Sequence, residues 1–207
     1  MKKLFLTSSF ADVATLFPNF AGEDLKGKKV TFIPTAAIHE KVNFYVNSGK
    51  KALEKMGLLV EELEVGSATQ TDILNKLRNN DYIYVTGGNT FFLLQELIRT
   101  GTDKIITEQL HSGKIYIGES AGSIIMAPDI EYVTDMDDPV AAVDLENFSS
   151  LNIVPFYPLP HYTNSPFKKT VEKIISKYES ALALKPISNS QVILVRDSDI
   201  EIISMPK

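Results

Sequence analysis

The chain has 207 residues, 44% hydrophobic and 23% charged, which is ordinary for a globular protein with length enough to bury a real core. A net charge of −5 with no run of Lys and Arg excludes broad nucleic-acid binding, which needs a phosphate-neutralising stripe. The absence of cysteine excludes disulfides, thiolate metal sites and a cysteine nucleophile.

At the start, Leu4-Phe5-Leu6 gives only three apolar residues before Thr7-Ser8-Ser9. That is too short for a signal-peptide core and reads instead as a first strand. No window approaches the length of a transmembrane helix, so no membrane association is expected and the cytoplasm is the expected compartment. Strand patterns follow over residues 4–7, 30–33, 58–63, 82–85 and 115–117, several of them continuous apolar runs suited to parallel strands covered on both faces. Helical patterns lie between them over residues 40–56, 71–77, 91–98 and 103–110. Gly57 suits a helix C-terminus, and Thr90 and Thr102 suit N-caps. This alternation predicts a three-layer α/β sandwich with a mostly parallel sheet. Beyond Pro128 the pattern changes. Residues 134–166 are rich in Asp, Pro, Asn and Ser and predict irregular or short antiparallel structure. A helix over 168–178 and a closing hairpin of strands 191–195 and 201–203 complete the chain. There is no repeat, low-complexity tract or linker, so residues 1–207 are expected to form one domain.

Gly118-Glu119-Ser120-Ala121-Gly122 fits the G-x-S-x-G pattern, placed between the strand at 115–117 and an apolar helical stretch over 123–127 that Pro128 stops. A serine on so sharp a turn needs small neighbours, and helix N-terminal amides there would face a developing oxyanion. Ser120 is therefore the candidate nucleophile. A second loop, Thr86-Gly87-Gly88-Asn89-Thr90, follows the strand at 82–85 and can expose backbone amides. It lacks the spacing of a dinucleotide or P-loop site. Both loops sit at strand C-termini, where open α/β sheets place their sites.

A serine needs a base. His39 and His111 have sufficient structural readings, at a helix start and a helix end, whereas His161 lies in the stiff loop Pro158-Leu159-Pro160-His161-Tyr162 downstream of the serine. His161 is the candidate base. Acids are many: Asp135, Asp137 and Asp138 cluster, with Asp144 and Glu146 beyond, and spacing selects none of them. The run lacks the ligand spacing of an EF-hand loop, and no metal or cofactor is expected.

The set Gly87-Gly88-Asn89-Thr90-Phe91, Gly118-x-Ser120-Ala121-Gly122, Thr134-Asp135-Met136 and Pro160-His161-Tyr162 resembles the dipeptidase E family of serine peptidases, with cyanophycinase a more distant relative. The likeness is close over about residues 80 to 165. It implies a flavodoxin-like parallel sheet related to class I glutamine amidotransferase domains. By the resemblance Ser120 is the nucleophile and His161 the general base. Gly88 and Ala121 would offer oxyanion amides, with Asn89 beside them, and Asp135 matches an aspartate the family needs. Two departures stand out. Some members carry a glutamate near the start of the penultimate strand as the third triad residue, but residues 186–191 here have no carboxylate, so Asp135, Asn189 or another neutral group would orient His161. The helix after the histidine has Lys168, Lys169 and Lys173 in place of the arginine that reads an N-terminal aspartate.

The expectation is a cofactor-free serine peptidase of short peptides, monomer or homodimer. Two alternatives are an esterase acting on a small acyl compound and a relative that binds a peptide or metabolite without turnover.

Overall fold

The structure, a computed structural model, describes residues 1–40 and 43–206. Strand β1 (Lys3–Thr7) passes through two short helices, α1 (Phe10–Val13) and α2 (Phe17–Ala21), to β2 (Lys29–Ile33). Helix α3 (Phe44–Lys55), β3 (Leu59–Glu62), α4 (Gln70–Asn79) and β4 (Tyr82–Val85) follow. Helices α5 (Thr90–Thr100) and α6 (Thr102–His111) lead to β5 (Ile115–Glu119) and the single-turn α7 (Ala121–Ile124). The chain ends with β6 (Tyr157–Leu159), α8 (Lys168–Tyr178), β7 (Leu184–Pro186), β8 (Gln191–Arg196) and β9 (Asp199–Ser204).

Seven strands form one sheet in the order β3-β2-β4-β5-β1-β8-β9, the first five parallel and the closing hairpin antiparallel. Side chains alternate across it. Leu4, Leu6, Ile83, Val85 and Tyr116 pack with α4, α5 and α6 on one face. Phe5, Phe32, Tyr84 and Ile117 pack with α1, α2 and α3 on the other. This gives three layers, as the apolar runs imply. A third apolar cluster, including Phe91, Ile124, Tyr132, Leu159 and Ile174, seats residues 124–184 against α5 and α7.

The register sets up the site. Leu6 and Val85 both pair with Gly118, and Ile33 pairs with Val85, so β1, β2, β4 and β5 end together. Connections leave β2 and β4 in opposite directions along the sheet, which opens a crevice at their C-terminal ends.

Several local expectations need correction. Between the strands expected at 4–7 and 30–33 the sequence predicts no element, yet Phe10, Phe17 and Phe20 are buried around Phe5 on α1 and α2. The helix expected over 40–56 begins at Phe44, and residues 41 and 42 lie outside the described residues. Asn89, not Thr90, caps α5, its Oδ1 accepting the Phe92 N–H at 2.9 Å. Gly101 precedes α6, and Thr102 makes no cap there. The helix expected over 123–127 forms one half-turn earlier, because the chain turns directly at Ser120. In the 134–166 segment β6 pairs with β7 in parallel, while the antiparallel contact is a lone bridge, Asp129 to Ser149.

Candidate active site

Ser120 occupies the turn between β5 and α7 with φ 49° and ψ −107°, a strained conformation for a residue with a side chain. What holds it there is explicit. The Ser120 N–H donates to Thr7 O at 2.9 Å. Ser123 Oγ donates to the Thr7 and Gly118 carbonyls and accepts the Thr7 N–H, each at 2.9 Å. The turn is too tight for side chains on either side. A Cβ on Gly122 would stand 2.3 Å from Val85 O, and one on Gly118 would stand 2.6 Å from Gly122 O.

The second glycine loop packs beside this turn. Gly88 has φ 134° and lies so close to the loop after β2 that a Cβ would meet Ala36 O at 2.1 Å. Among the described residues, the amides of Gly88 and Ala121 donate no backbone hydrogen bond, so both remain available to a ligand. Asn89 is differently committed. Its Oδ1 caps α5 and its Nδ2 donates to Asp138 O at 3.0 Å, so it ties the acidic loop to the helix.

His161 comes to Ser120 across the sheet end, with Ser120 Oγ and His161 Nε2 2.8 Å apart. The loop carrying it has φ 66° at His161 and φ 67° at Thr163. The His161 N–H donates to Ser8 Oγ at 2.8 Å, and Ser8 Oγ donates to Ile187 O at 2.9 Å. The ring stacks on Phe167 with centroids 4.8 Å apart. On the far side, Nδ1 faces Asn189 Oδ1 at 3.3 Å, and the Asn189 N–H donates to Asn164 Oδ1 at 2.8 Å. An amide oxygen is only an acceptor, which assigns the proton to Nδ1 and leaves the Nε2 lone pair toward Ser120. Burial holds the imidazole below the usual histidine range, and the Asn189 contact opposes that only in part.

The carboxylates fall into different places from those spacing suggested. Asp135 does not reach His161. It bonds Lys173 Nζ at 2.7 Å, and this neighbour lowers its pKa. The position beside Nδ1 belongs to Asn189, so the orienting part expected of Asp135 has no geometric basis here. Asp137 instead turns inward, its Oδ2 accepting the Thr90 N–H at 2.9 Å and the Thr90 hydroxyl at 2.5 Å. Burial pushes its pKa up to about 6. Glu119, inside the motif itself, is buried, with Oε1 accepting the Phe10 N–H at 2.9 Å and Oε2 the Tyr84 hydroxyl at 2.8 Å. Burial pushes it up to about 7, while these donors and the nearby Gly87 amide favour its charged form.

These groups surround a cleft of about 510 Å³. Its walls include Gly87, Gly88, Ser120, Asp137, His161 and Asn189. His39 and His111 take no part: His39 packs edge-on against Phe92, and His111 lies in the last turn of α6. Glu119 and Ser8 carry no pattern in the sequence that marks them as site residues. The signals for them are position alone: Ser8 directly follows the strand at 4–7, and Glu119 is the variable residue of the glycine-serine motif. Among the described residues no group of three or more His, Asp and Glu side chains is arranged to hold a metal.

A three-layer α/β fold carrying a serine on a strand-to-helix turn, with a histidine against its hydroxyl, defines the class: a hydrolase of the serine type. Residues 4–203 match peptidase family S51, and the chain belongs to that family. It is 57% identical to an uncharacterised peptidase of Listeria innocua over 200 residues, covering 97% of this chain and 95% of that one. It is 28% identical to a peptidase E of a Nostoc species over 215 residues, covering 98% of this chain and 86% of that one. Among solved structures, a Listeria monocytogenes protein provisionally assigned as peptidase E superposes with a TM-score of 0.96 at 53% identity, covering 100% of both chains. A peptidase from an acI-B1 actinobacterium, at TM-score 0.73 and 19% identity over 99% of this chain and 88% of that one, shows the same fold.

Proposed function

We propose that the protein hydrolyses short peptides with Ser120 as nucleophile and His161 as general base. The observation that carries this reading is the 2.8 Å approach of Ser120 Oγ to His161 Nε2, with Nδ1 already occupied by Asn189. Ser120 Oγ attacks the scissile carbonyl carbon as its proton passes to Nε2. The carbonyl oxygen becomes an oxyanion held by the Gly88 and Ala121 amides, which have no backbone acceptor among the described residues. The imidazolium then gives its proton to the leaving amine, and water, activated by His161, releases the acyl group.

Asn189 orients the ring without a charge to balance the imidazolium. Among the described residues this is a triad geometry with an amide as third member. A short substrate suits a bounded cleft of about 510 Å³ better than a folded chain does. No described helix is long and apolar enough to cross a membrane, and a cytoplasmic site of action is part of this proposal.

The test is hydrolysis of a dipeptide and tripeptide panel by wild type and Ser120→Ala in parallel. Cleavage by wild type alone is the expected result. Cleavage that survives Ser120→Ala would remove the serine from the mechanism.

A further inference from the structure

The residue between Gly118 and Ser120 answers no demand of the turn itself. The sharp backbone needs glycine at 118 and 122, where a Cβ would meet backbone within 3 Å, and leaves position 119 free. Yet position 119 carries a glutamate that is only 2% exposed. A buried carboxylate is costly unless donors surround it, and an apolar side chain of similar volume would fill the same space at less cost. Its donors therefore show what the glutamate does. Oε1 accepts the Phe10 N–H, the first amide of α1, at 2.9 Å. Oε2 accepts the Tyr84 hydroxyl, from β4, at 2.8 Å. The fit extends to α3. Gly49 lies inside that helix, where glycine is less favourable than alanine. A Cβ there would stand 2.4 Å from the Tyr84 hydroxyl and 3.7 Å from Glu119 Oε2.

The Phe10 amide closes a short stretch, residues 7–10, from which both reacting side chains are held. Thr7 O accepts the Ser120 N–H at 2.9 Å. Ser8 Oγ accepts the His161 N–H at 2.8 Å and donates to Ile187 O at 2.9 Å, two residues before Asn189. Beyond Thr7 this stretch has left the sheet, and the Ser9 side chain makes no cap for α1. Glu119 supplies the missing cap from across the sheet end. The chain of contacts is then closed: Ser120 to its neighbour Glu119, Glu119 to Phe10, and Ser8 to His161.

We infer that Glu119 is a positioning residue for this site: by holding the Phe10 amide it fixes the stretch that carries Ser8, and through Ser8 it sets the backbone of His161 against Ser120. Both of its carboxylate oxygens are engaged by protein donors, so it acts without touching substrate. The inference rests on the Ser120 and His161 reading above, and the test separates the two.

Two rates are measured on wild type and variants: labelling of Ser120 by a fluorophosphonate, and turnover of the best short peptide. Glu119→Met keeps the volume and removes both acceptors. It should lower the labelling rate and kcat about 10- to 100-fold, the effect of misplacing a reacting group by about 1 Å, with KM within about twofold. Glu119→Gln keeps an acceptor for Phe10 and an amide that can donate to the Tyr84 oxygen, and should recover most of that loss. Phe20→Leu loosens the same helical layer at Phe5 and should leave kcat within about twofold of wild type, which separates positioning from stability. Ser8→Ala breaks the connection at its other end and should slow labelling about tenfold. In the double variant with Glu119→Met it should add less than it costs alone. Wild-type rates in Glu119→Met, a loss that Glu119→Gln does not relieve, a loss confined to KM, or fully additive losses would each overturn the inference. An unchanged labelling rate in Ser8→Ala would overturn it even where Glu119→Met does not fold. A wild type that neither labels at Ser120 nor cleaves any peptide would remove the peptidase reading and this inference with it. A wild type that does both, beside an equally fast Glu119→Met, would remove the inference alone.

Discussion

Ser120 ends a strand that has parallel neighbours on both sides, and its backbone is set by the same hydrogen bonds that build the sheet. His161 arrives from a three-residue strand in a segment of turns and is set by a few individual contacts: Ser8 to its amide, Phe167 beneath its ring, Asn189 at Nδ1. The nucleophile is therefore inseparable from folding, whereas the base is adjustable. Changes beside Ser120 should cost stability as well as rate. Changes around His161 should alter rate and pH dependence while the sheet survives.

The largest effect is expected from the hydroxyl itself. Ser120→Ala should lower kcat by about 10⁴-fold or more, as in enzymes whose serine and histidine act as a unit, with His161→Ala similar and the double variant little worse. Additive losses in the double variant, read from kcat on the best peptide, would show that the two do not act together. Next is the frame. Gly122→Ala forces a Cβ to 2.3 Å from Val85 O, backbone that cannot yield without moving β4. A loss of about 3 kcal/mol or more in urea unfolding is expected, the range of overpacking and strained-backbone changes. A variant that unfolds like wild type would mean the turn is looser than the serine's strained φ implies.

On the histidine side the same logic predicts smaller and separable effects. Asn189→Ala should lower kcat about 10- to 100-fold by freeing the ring, with the unfolding midpoint little changed. Asn189→Asp tests the charge. The wild-type imidazole sits below the usual histidine range, so it stays unprotonated, and competent as a base, into mildly acidic solution. A carboxylate at Nδ1 favours the imidazolium and raises that pKa. The acid limb of kcat/KM should then move to higher pH by about one unit or more, so the variant loses activity first as pH falls. An unmoved limb would place the controlling group elsewhere. Ser8→Ala removes the acceptor of the His161 N–H and should cost about 1–3 kcal/mol of stability, since it leaves a part-buried donor unpaired.

The same contrast governs what the sequence discloses. The central parallel strands are largely apolar runs whose buried faces leave little choice of structure, and β4 appears at its true limits. The serine turn is equally legible, since its two glycines are demanded by backbone approaches under 3 Å. The base could be reached because the chain has three histidines and two have work elsewhere. What surrounds it could not. Asn189 lies 28 residues from His161 and meets it only because β7 and β8 bring residues 186–191 back beside the loop. Nothing in the spacing of Asp135, Asp137 and Asp138 says which carboxylate turns inward, because they lie on turns rather than on an element with a fixed period. The choice is made by Thr90, at the end of a different helix, and by Lys173 on α8.

The smallest expected effect falls on Asp135, and it sharpens the comparison most. Its likeness to an aspartate required in dipeptidase E favours a large loss on substitution, whereas its place against an exposed lysine favours almost none. Asp135→Asn leaves Asn189, Ser8 and Phe167 untouched around the histidine and breaks one ion pair whose lysine is mostly exposed. Pairs of that kind contribute at most about 1 kcal/mol. The expected kcat/KM is within about twofold of wild type, because no contact of His161 or of the cleft changes. Steady-state kinetics of Asp135→Asn beside wild type reads the outcome directly. A loss of several powers of ten in Asp135→Asn would mean that the acidic loop reorients when substrate binds, bringing Asp135 to the histidine that Asn189 holds in the free protein.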